Sequence, residues 1–158
     1  MATSSEMDTS GGTGFVLRCE LRGHEGQIRA MCIAPNGELV TGAMDATVRR
    51  WTLPTEAGAP ALEAGVILDH DHWVVALAAL PPGALAECPE GGVVTGCHDK
   101  QIRVYSCATD APAVRVRLLA GHTGGVISLG WTADGRLLSG SWDGTAKVGP
   151  ASRAGRAS

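Results

Sequence analysis

The sequence predicts an all-β protein built from repeated antiparallel sheets, and three observations support this prediction. One residue pattern occurs three times, with its first histidines, His24, His70 and His122, lying 46 and 52 residues apart. Short β-rich runs such as QIRAMCI and QIRVYS alternate with turns rich in Gly, Pro, Asn and Asp. No segment shows a helical period of useful length. Short, regularly spaced strands of this kind form antiparallel meanders.

The first and third copies of the pattern have the same spacing. The first begins at Gly23-His24 and continues through LVTGAMD, ending at Asp45, and TVRRW, ending at Trp51. The third begins at Gly121-His122 and continues through LLSGSWD and TAKVG. In both copies the Asp follows the His by 21 residues, and the last strand position follows the Asp by six.

The middle copy keeps the six-residue spacing after the Asp but has a longer spacing between the His and the Asp. It begins at His70, reaches Asp99 in VVTGCHD and closes at Tyr105 in QIRVY, six residues after the Asp. Its His and Asp are 29 residues apart, and the eight extra residues fall within PPGALAECPEGG. The Pro and Gly content of that run places the insertion in a loop between two strands.

Repeats of this length are typical of propeller blades. We expect an outer strand at residues 15 to 21, a first blade at about 28 to 68 and a second at about 73 to 119. The third blade has predicted strands near 126 to 131, 136 to 141 and 145 to 148, but no fourth. Propellers close with four to eight blades. We therefore predict a partial propeller of about three four-stranded blades, not closed by this chain alone.

The GH dipeptide, the turn Asp and the aromatic residue six positions later resemble the WD40 family over residues 15–148. LRCELRGHEGQIRAM and LPPGALAECPEGGVVTG are more closely similar to the amino-terminal propeller of the phospholipase A2-activating protein family. LLSGSWDGTAKV resembles the third blade of that propeller. We therefore expect a disordered N-terminus at 1–14, repeats at 15–148 and an unstructured tail at 149–158. The abrupt change after Val148 fits a splice end, a frameshift or a gene-model error.

Each copy offers a His, a hydroxyl residue four positions before the Asp, the Asp, and an aromatic residue six positions after it. Indole can only donate, a hydroxyl can donate and accept, neutral imidazole does one of each, and carboxylate accepts. A chain from Trp through Thr and His to Asp therefore satisfies every proton, at about 1 kcal/mol per link. In the second copy the Tyr105 phenol preserves the aromatic packing but cannot place a donor where the indole nitrogen would be. The predicted structural tetrads are His24, Thr41, Asp45 and Trp51; His70, Thr95, Asp99 and Tyr105; and His122, Ser139 and Asp143, without a fourth member.

Ser139, His122 and Asp143 are also the residue types of a hydrolase triad. The same constellation occurs three times, twice with Thr, and neither a GxSxG elbow nor an evident oxyanion loop accompanies it. We therefore favour a structural role, no catalytic residue and no enzyme activity.

Two other clusters suggest metal binding. Asp69-His70-Asp71-His72 and Cys97-His98 carry ligand types that suit a transition metal. His70 already belongs to a tetrad, and alternating side chains in a loop rarely converge on one ion, so we expect neither a metal nor another cofactor. The five cysteines form no CxxC pair and are odd in number, which predicts neither a zinc knuckle nor a disulfide framework.

The charge and hydropathy patterns favour neither nucleic acid nor membrane. The net charge is -3, and no run approaches the length of a membrane span or a secretory signal. We expect a soluble intracellular protein, located in the cytoplasm and nucleus.

If the blades form, residues beside the His and the Asp emerge on one face, the usual recognition surface of propellers that the chain resembles. The resemblance implies ubiquitin as the partner, in ubiquitin recycling and proteasome-dependent degradation. It implies contact with an AAA+ segregase only through downstream domains absent here. The alternatives are a WD40 scaffold for another protein, or a truncated product without independent activity. Candidate contact residues are Glu25, Gln27, Met44, His72, His98, Lys100, Thr123 and Trp142.

Overall fold

A computed structural model describes residues 19–55, 59–108 and 111–149. Within these ranges the chain forms eleven strands in three antiparallel sheets, and no helix there is long and apolar enough to cross a membrane. The predictions for residues 1–14, 15–18 and 150–158 lie outside the described residues. Residues 19–21, the end of the predicted outer strand, are not part of a strand.

Each sheet is a meander whose strands lie side by side in chain order. The first contains β1 (Ile28–Ile33), β2 (Leu39–Ala43), β3 (Val48–Thr52) and β4 (Leu62–Ile67). The second contains β5 (Val74–Leu80), β6 (Gly92–Cys97), β7 (Ile102–Ser106) and β8 (Val114–Leu119). The third contains β9 (Val126–Trp131), β10 (Leu137–Ser141) and β11 (Ala146–Val148). This confirms the predicted all-β class, with two four-stranded blades and one of three strands over the described ranges.

The turn between the second and third strands of each blade has the same backbone form. The residue after the Asp takes a left-handed conformation, with φ of 64° at Ala46, 75° at Lys100 and 79° at Gly144. Only glycine adopts this conformation without steric cost. The first two turns are therefore strained relative to the third.

Neighbouring blades approach most closely where a glycine of one faces a valine of the next. A Cβ on Gly42 of β2 would lie 2.8 Å from Val74 Cγ1, and one on Gly96 of β6 would lie 2.9 Å from Val126 Cγ1. Two clusters of buried apolar side chains fill the spaces between the sheets. The first includes Val40, Val48, Ile67, Val74, Val93 and Tyr105; the second includes Leu80, Leu85, Val94, Val104, Val126 and Leu137.

The inserted segment of the second repeat lies between β5 and β6. Leu85 and Cys88 form an isolated bridge within it, and both side chains are buried in the second cluster. The insertion is therefore a loop anchored by its own apolar residues, and it leaves the sheet order unchanged.

Candidate functional site

The four predicted residues of the first repeat form a continuous hydrogen-bonded chain. Trp51 Nε1 donates to Thr41 Oγ1 at 2.8 Å, and that hydroxyl lies 2.8 Å from His24 Nε2. His24 Nδ1 lies 2.9 Å from Asp45 Oδ2. Because the carboxylate can only accept, it fixes the imidazole proton on Nδ1 and leaves Nε2 to accept from the hydroxyl. The chain links the third strand, the second strand and the loop before the first.

Two further groups, which the spacing did not predict, complete this network. Thr47, two residues after the Asp, donates its hydroxyl to Asp45 Oδ1 at 2.7 Å, and the Glu25 amide donates to Oδ2 at 2.9 Å. Burial by itself would raise the pKa of Asp45. The hydrogen bonds from Thr47, His24 and the backbone outweigh it and hold that pKa well below its usual range.

The third repeat forms the same network without its aromatic member. His122 Nδ1 lies 2.8 Å from Asp143 Oδ2, and Nε2 lies 2.9 Å from Ser139 Oγ. Thr145 donates to Asp143 at 2.6 Å, which lowers the pKa of that carboxyl more than any other contact does. This is also the hydrogen-bond order of a Ser-His-Asp triad. In the first repeat, Thr41 fills the serine position and is capped by Trp51.

The predicted tetrad of the second repeat is interrupted, which corrects the expected link from His70 to Asp99. His70 Nε2 contacts Thr95 Oγ1 at 2.9 Å, but Nδ1 has no hydrogen-bond partner among the described residues. Asp99 instead forms an ion pair with Arg103 at 2.7 Å. Tyr105 donates its phenol to Asp69 rather than to the hydroxyl. Burial, aided by the Arg103 charge, lowers the pKa of His70 to about 4.

The second repeat also differs from the others two residues after the histidine. Gly26 and Gly124 fill this position in the other repeats, where an added Cβ would come within 2.6 Å of the backbone nitrogen of the turn Asp. The second repeat carries His72 there. Its loop still contacts the turn, because the His98 amide donates to Trp73 O at 2.9 Å as the Met44 amide donates to Gln27 O, so the interruption is confined to the side chains.

The residues that precede the three turn aspartates lie on one edge of the blades, where they form part of what we call the aromatic surface. This surface consists of Met44, His72, Trp73, His98 and Trp142. The His98 ring lies 4.5 Å from the ring centroids of both His72 and Trp142, and 5.2 Å from that of Trp73. Trp142 remains 62% exposed. The half-buried His98 ring therefore supports the exposed rings of His72, Trp73 and Trp142.

A shallow cavity of about 250 Å³ lies beside these rings. Of the predicted contact residues, Gln27, Met44, His98 and Trp142 line it, together with Arg29, Trp73 and Val75. Glu25, Lys100 and Thr123 are exposed but do not line it. Trp73 was missed by the sequence analysis, although it follows His70 by the same three residues that separate Gln27 from His24.

The possible metal ligands at residues 69–72 point to different partners. Asp69 accepts from Tyr105 and from Arg115, and His70 faces Thr95. His72 stacks on His98, and its Nδ1 accepts from the Trp73 amide. These side chains do not converge on a common point.

Comparison with known proteins agrees with this geometry. The family model for the WD domain, G-beta repeat, matches residues 15–52, 64–106 and 113–148. Phospholipase A-2-activating protein of Xenopus laevis is 36% identical over 141 residues, covering 87% of this chain and 17% of that protein. Ubiquitin homeostasis protein lub1 of Schizosaccharomyces pombe is 25% identical, covering 86% and 18%. Ribosome biogenesis protein YTM1 of Phaeosphaeria nodorum is 28% identical, covering 80% and 25%.

The family matches are offset from the sheets by one strand, because the second match begins within β4 of the first sheet and the third contains β8 of the second. The first relative confirms the resemblance to phospholipase A2-activating proteins. The chain spans between 17% and 25% of the length of these relatives. With its repeats, blades and histidine–aspartate networks, the chain belongs to the WD40 repeat family.

Proposed function

We propose that the chain is a non-enzymatic interaction module that binds ubiquitin through the aromatic surface. The observation that carries this proposal is the exposed Trp142 ring, packed edge-on against His98. Tryptophan is enriched among the residues that dominate binding energy, because it offers a large contact area with little loss of conformational freedom. Support from His98 reduces that loss further.

Ubiquitin is favoured over other partners by the relatives. The fission yeast relative is named a ubiquitin homeostasis protein, and the resemblance to the phospholipase A2-activating protein family implies a ubiquitin-binding propeller. We place the module accordingly in ubiquitin recycling and proteasome-dependent degradation, in the cytoplasm and nucleus. The same resemblance implies that contact with the AAA+ segregase is made outside the propeller, so we expect that residues 1–158 alone do not capture the segregase.

Titration of isotope-labelled ubiquitin with the purified chain tests the proposal. We expect dose-dependent amide shifts in ubiquitin, with at least tenfold weaker binding for Trp142→Ala, since an anchor residue contributes about 2 kcal/mol or more. Leu62→Ala is the matched control, because Leu62 is 65% exposed on β4, away from the aromatic surface. Ubiquitin shifts that are absent at high micromolar concentration, or identical with Trp142→Ala, would contradict the proposal.

The second candidate is a scaffold for a different protein. It is favoured by the similarity to a ribosome biogenesis protein, because one fold can serve many partners. A cooperative thermal melt of the chain combined with a silent ubiquitin titration would support this alternative. Aggregation without a cooperative melt would instead support a product without independent activity.

A further inference from the structure

The aromatic residue six positions after the turn Asp is buried and packs in the same place in the first two repeats. Trp51 is 3% exposed, and a Cβ placed on Gly23, just before the histidine, would lie 3.3 Å from its ring. Tyr105 is 1% exposed and donates to Asp69, which also precedes its histidine. In both repeats an aromatic ring therefore fills the space between the third strand and the residue before the histidine.

The third repeat keeps the backbone of this arrangement and lacks the ring. Gly149 donates its amide N–H to Leu137 O at 2.8 Å. The equivalent residues of the first repeat, Trp51 and Leu39, pair in the same register. A Cβ on Gly121 would meet nothing within 4 Å in the described part of the chain. The space holds a cavity of about 210 Å³, whose lining includes Ile102, Leu119, Gly121, His122, Leu137 and Ser139.

The chemistry of the lining specifies what the cavity would accept. Asp143 fixes the His122 proton on Nδ1, so Nε2 accepts from the Ser139 hydroxyl, as in the first repeat. Ser139 Oγ then has lone pairs left to accept one more hydrogen bond. Its counterpart, Thr41 Oγ1, accepts that bond from the indole of Trp51. Apart from Lys147, the rest of the cavity wall is apolar.

We propose that this cavity is a binding site for an indole group, whose N–H donates to Ser139 Oγ while its rings fill the space left at Gly149. An apolar cavity of about 150 Å³ is known to bind a single aromatic ring. The cavity beside Ser139 is larger, about 210 Å³, and unlike that enclosed cavity it is open on one side, so it can admit a bicyclic ring. The acceptor selects a ring that carries an N–H. This inference is independent of ubiquitin binding at the aromatic surface.

Titration of the isotope-labelled chain with indole and with benzofuran tests the site. Benzofuran has the same shape with an oxygen in place of the N–H. We expect saturable shifts at the amides of Gly121, Ser139 and Gly149 with indole, and roughly fivefold weaker binding of benzofuran, for the loss of one hydrogen bond. This comparison needs only the unaltered chain. Equal affinity for the two ligands, or no saturable shift at millimolar indole, would overturn the proposal.

A filled variant and a matched control provide the second arm. Gly149→Trp places the indole in the chain itself, and an added Cβ there comes no closer than 3.8 Å to Leu137 O. We expect this variant to lose indole binding, whereas Gly130→Ala, in the same sheet with no neighbour within 4 Å of its Cβ among the described residues, keeps it. Undiminished indole binding by folded Gly149→Trp would place the ligand elsewhere and refute the inference.

N-acetyltryptophanamide distinguishes the two sources of an indole. If it binds as indole does, the site accepts a tryptophan side chain of a polypeptide. If indole alone binds, the site is restricted to the free ring compound. Both results support the site and differ only in which molecule supplies the ring.

Discussion

Three glycines at equivalent positions of the second strands, Gly42, Gly96 and Gly140, test how the blades pack. In the first two blades an added Cβ would lie 2.8 and 2.9 Å from the facing valine side chains, well inside contact distance. In the third blade the nearest described atom is the Cβ of Ser128 at 3.5 Å, an ordinary contact. The same substitution therefore meets a neighbouring blade too closely twice and makes an ordinary contact within its own sheet once.

The expected magnitudes follow from two opposing effects. Forcing extra volume into a packed interface costs about 1–3 kcal/mol. Replacing glycine by alanine in the unfolded chain contributes about 0.4–1 kcal/mol in the other direction. Gly42→Ala and Gly96→Ala should thus lower the free energy of unfolding by about 1–2 kcal/mol, whereas Gly140→Ala should leave it unchanged or raise it slightly.

Urea unfolding followed by tryptophan fluorescence measures the difference. With a urea dependence of about 2 kcal/mol per molar, the first two variants should unfold at roughly 0.5–1 M lower urea than the parent chain. Gly140→Ala is the internal control, because it makes the same chemical change in the equivalent strand. If Gly140→Ala were as destabilising as Gly96→Ala, the close approach of neighbouring blades would not be the cause.

Three further outcomes are expected. Because burial lowers the pKa of His70 to about 4 from 6.5, the unfolded chain binds a proton at His70 more readily than the folded chain does. As the pH falls from about 6.5 to 4, the free energy of unfolding should therefore decrease by up to about 3 kcal/mol. Urea titrations of His70→Gln should show a weaker dependence of the free energy of unfolding on pH. Ala46→Gly should stabilise the chain and Gly144→Ala destabilise it, each by roughly 1 kcal/mol, because both positions are left-handed; equal thermal shifts of one sign would contradict this. Ser139 should not react with a serine-directed fluorophosphonate probe, and labelling found by mass spectrometry would show that triad chemistry operates.

Spacing alone predicted most of the fold and two of the three networks. The distance of six residues from Asp45 to Trp51 fixes the register of β2 against β3, so the hydrogen bond from indole to hydroxyl follows from strand geometry. The same spacing identified position 149, which holds glycine, as the position where the aromatic residue is missing. These features depend on the backbone repeat, which a periodic sequence reveals directly.

The link from His70 to Asp99, which the spacing predicted and the structure lacks, depends on the reach of a side chain. HDH at 70–72 differs from HEG at 24–26 and HTG at 122–124, but the sequence does not show which partner Asp99 binds. Asp99 pairs with Arg103 at 2.7 Å, a contact that a long side chain of β7 makes. The spacing of the motif does not encode that distance.

The interrupted network and the aromatic surface lie together in the middle blade. The His72 ring lies 4.5 Å from that of His98 and 4.9 Å from that of Trp73, whereas the other two repeats carry glycine at this position. Asp45 and Asp143 bind the histidine of the loop before the first strand, but Asp99 pairs with Arg103 of the third strand. The middle blade therefore holds its turn through an ion pair within the sheet, and the loop that lacks the link from His70 to Asp99 is the one that carries His72 and Trp73.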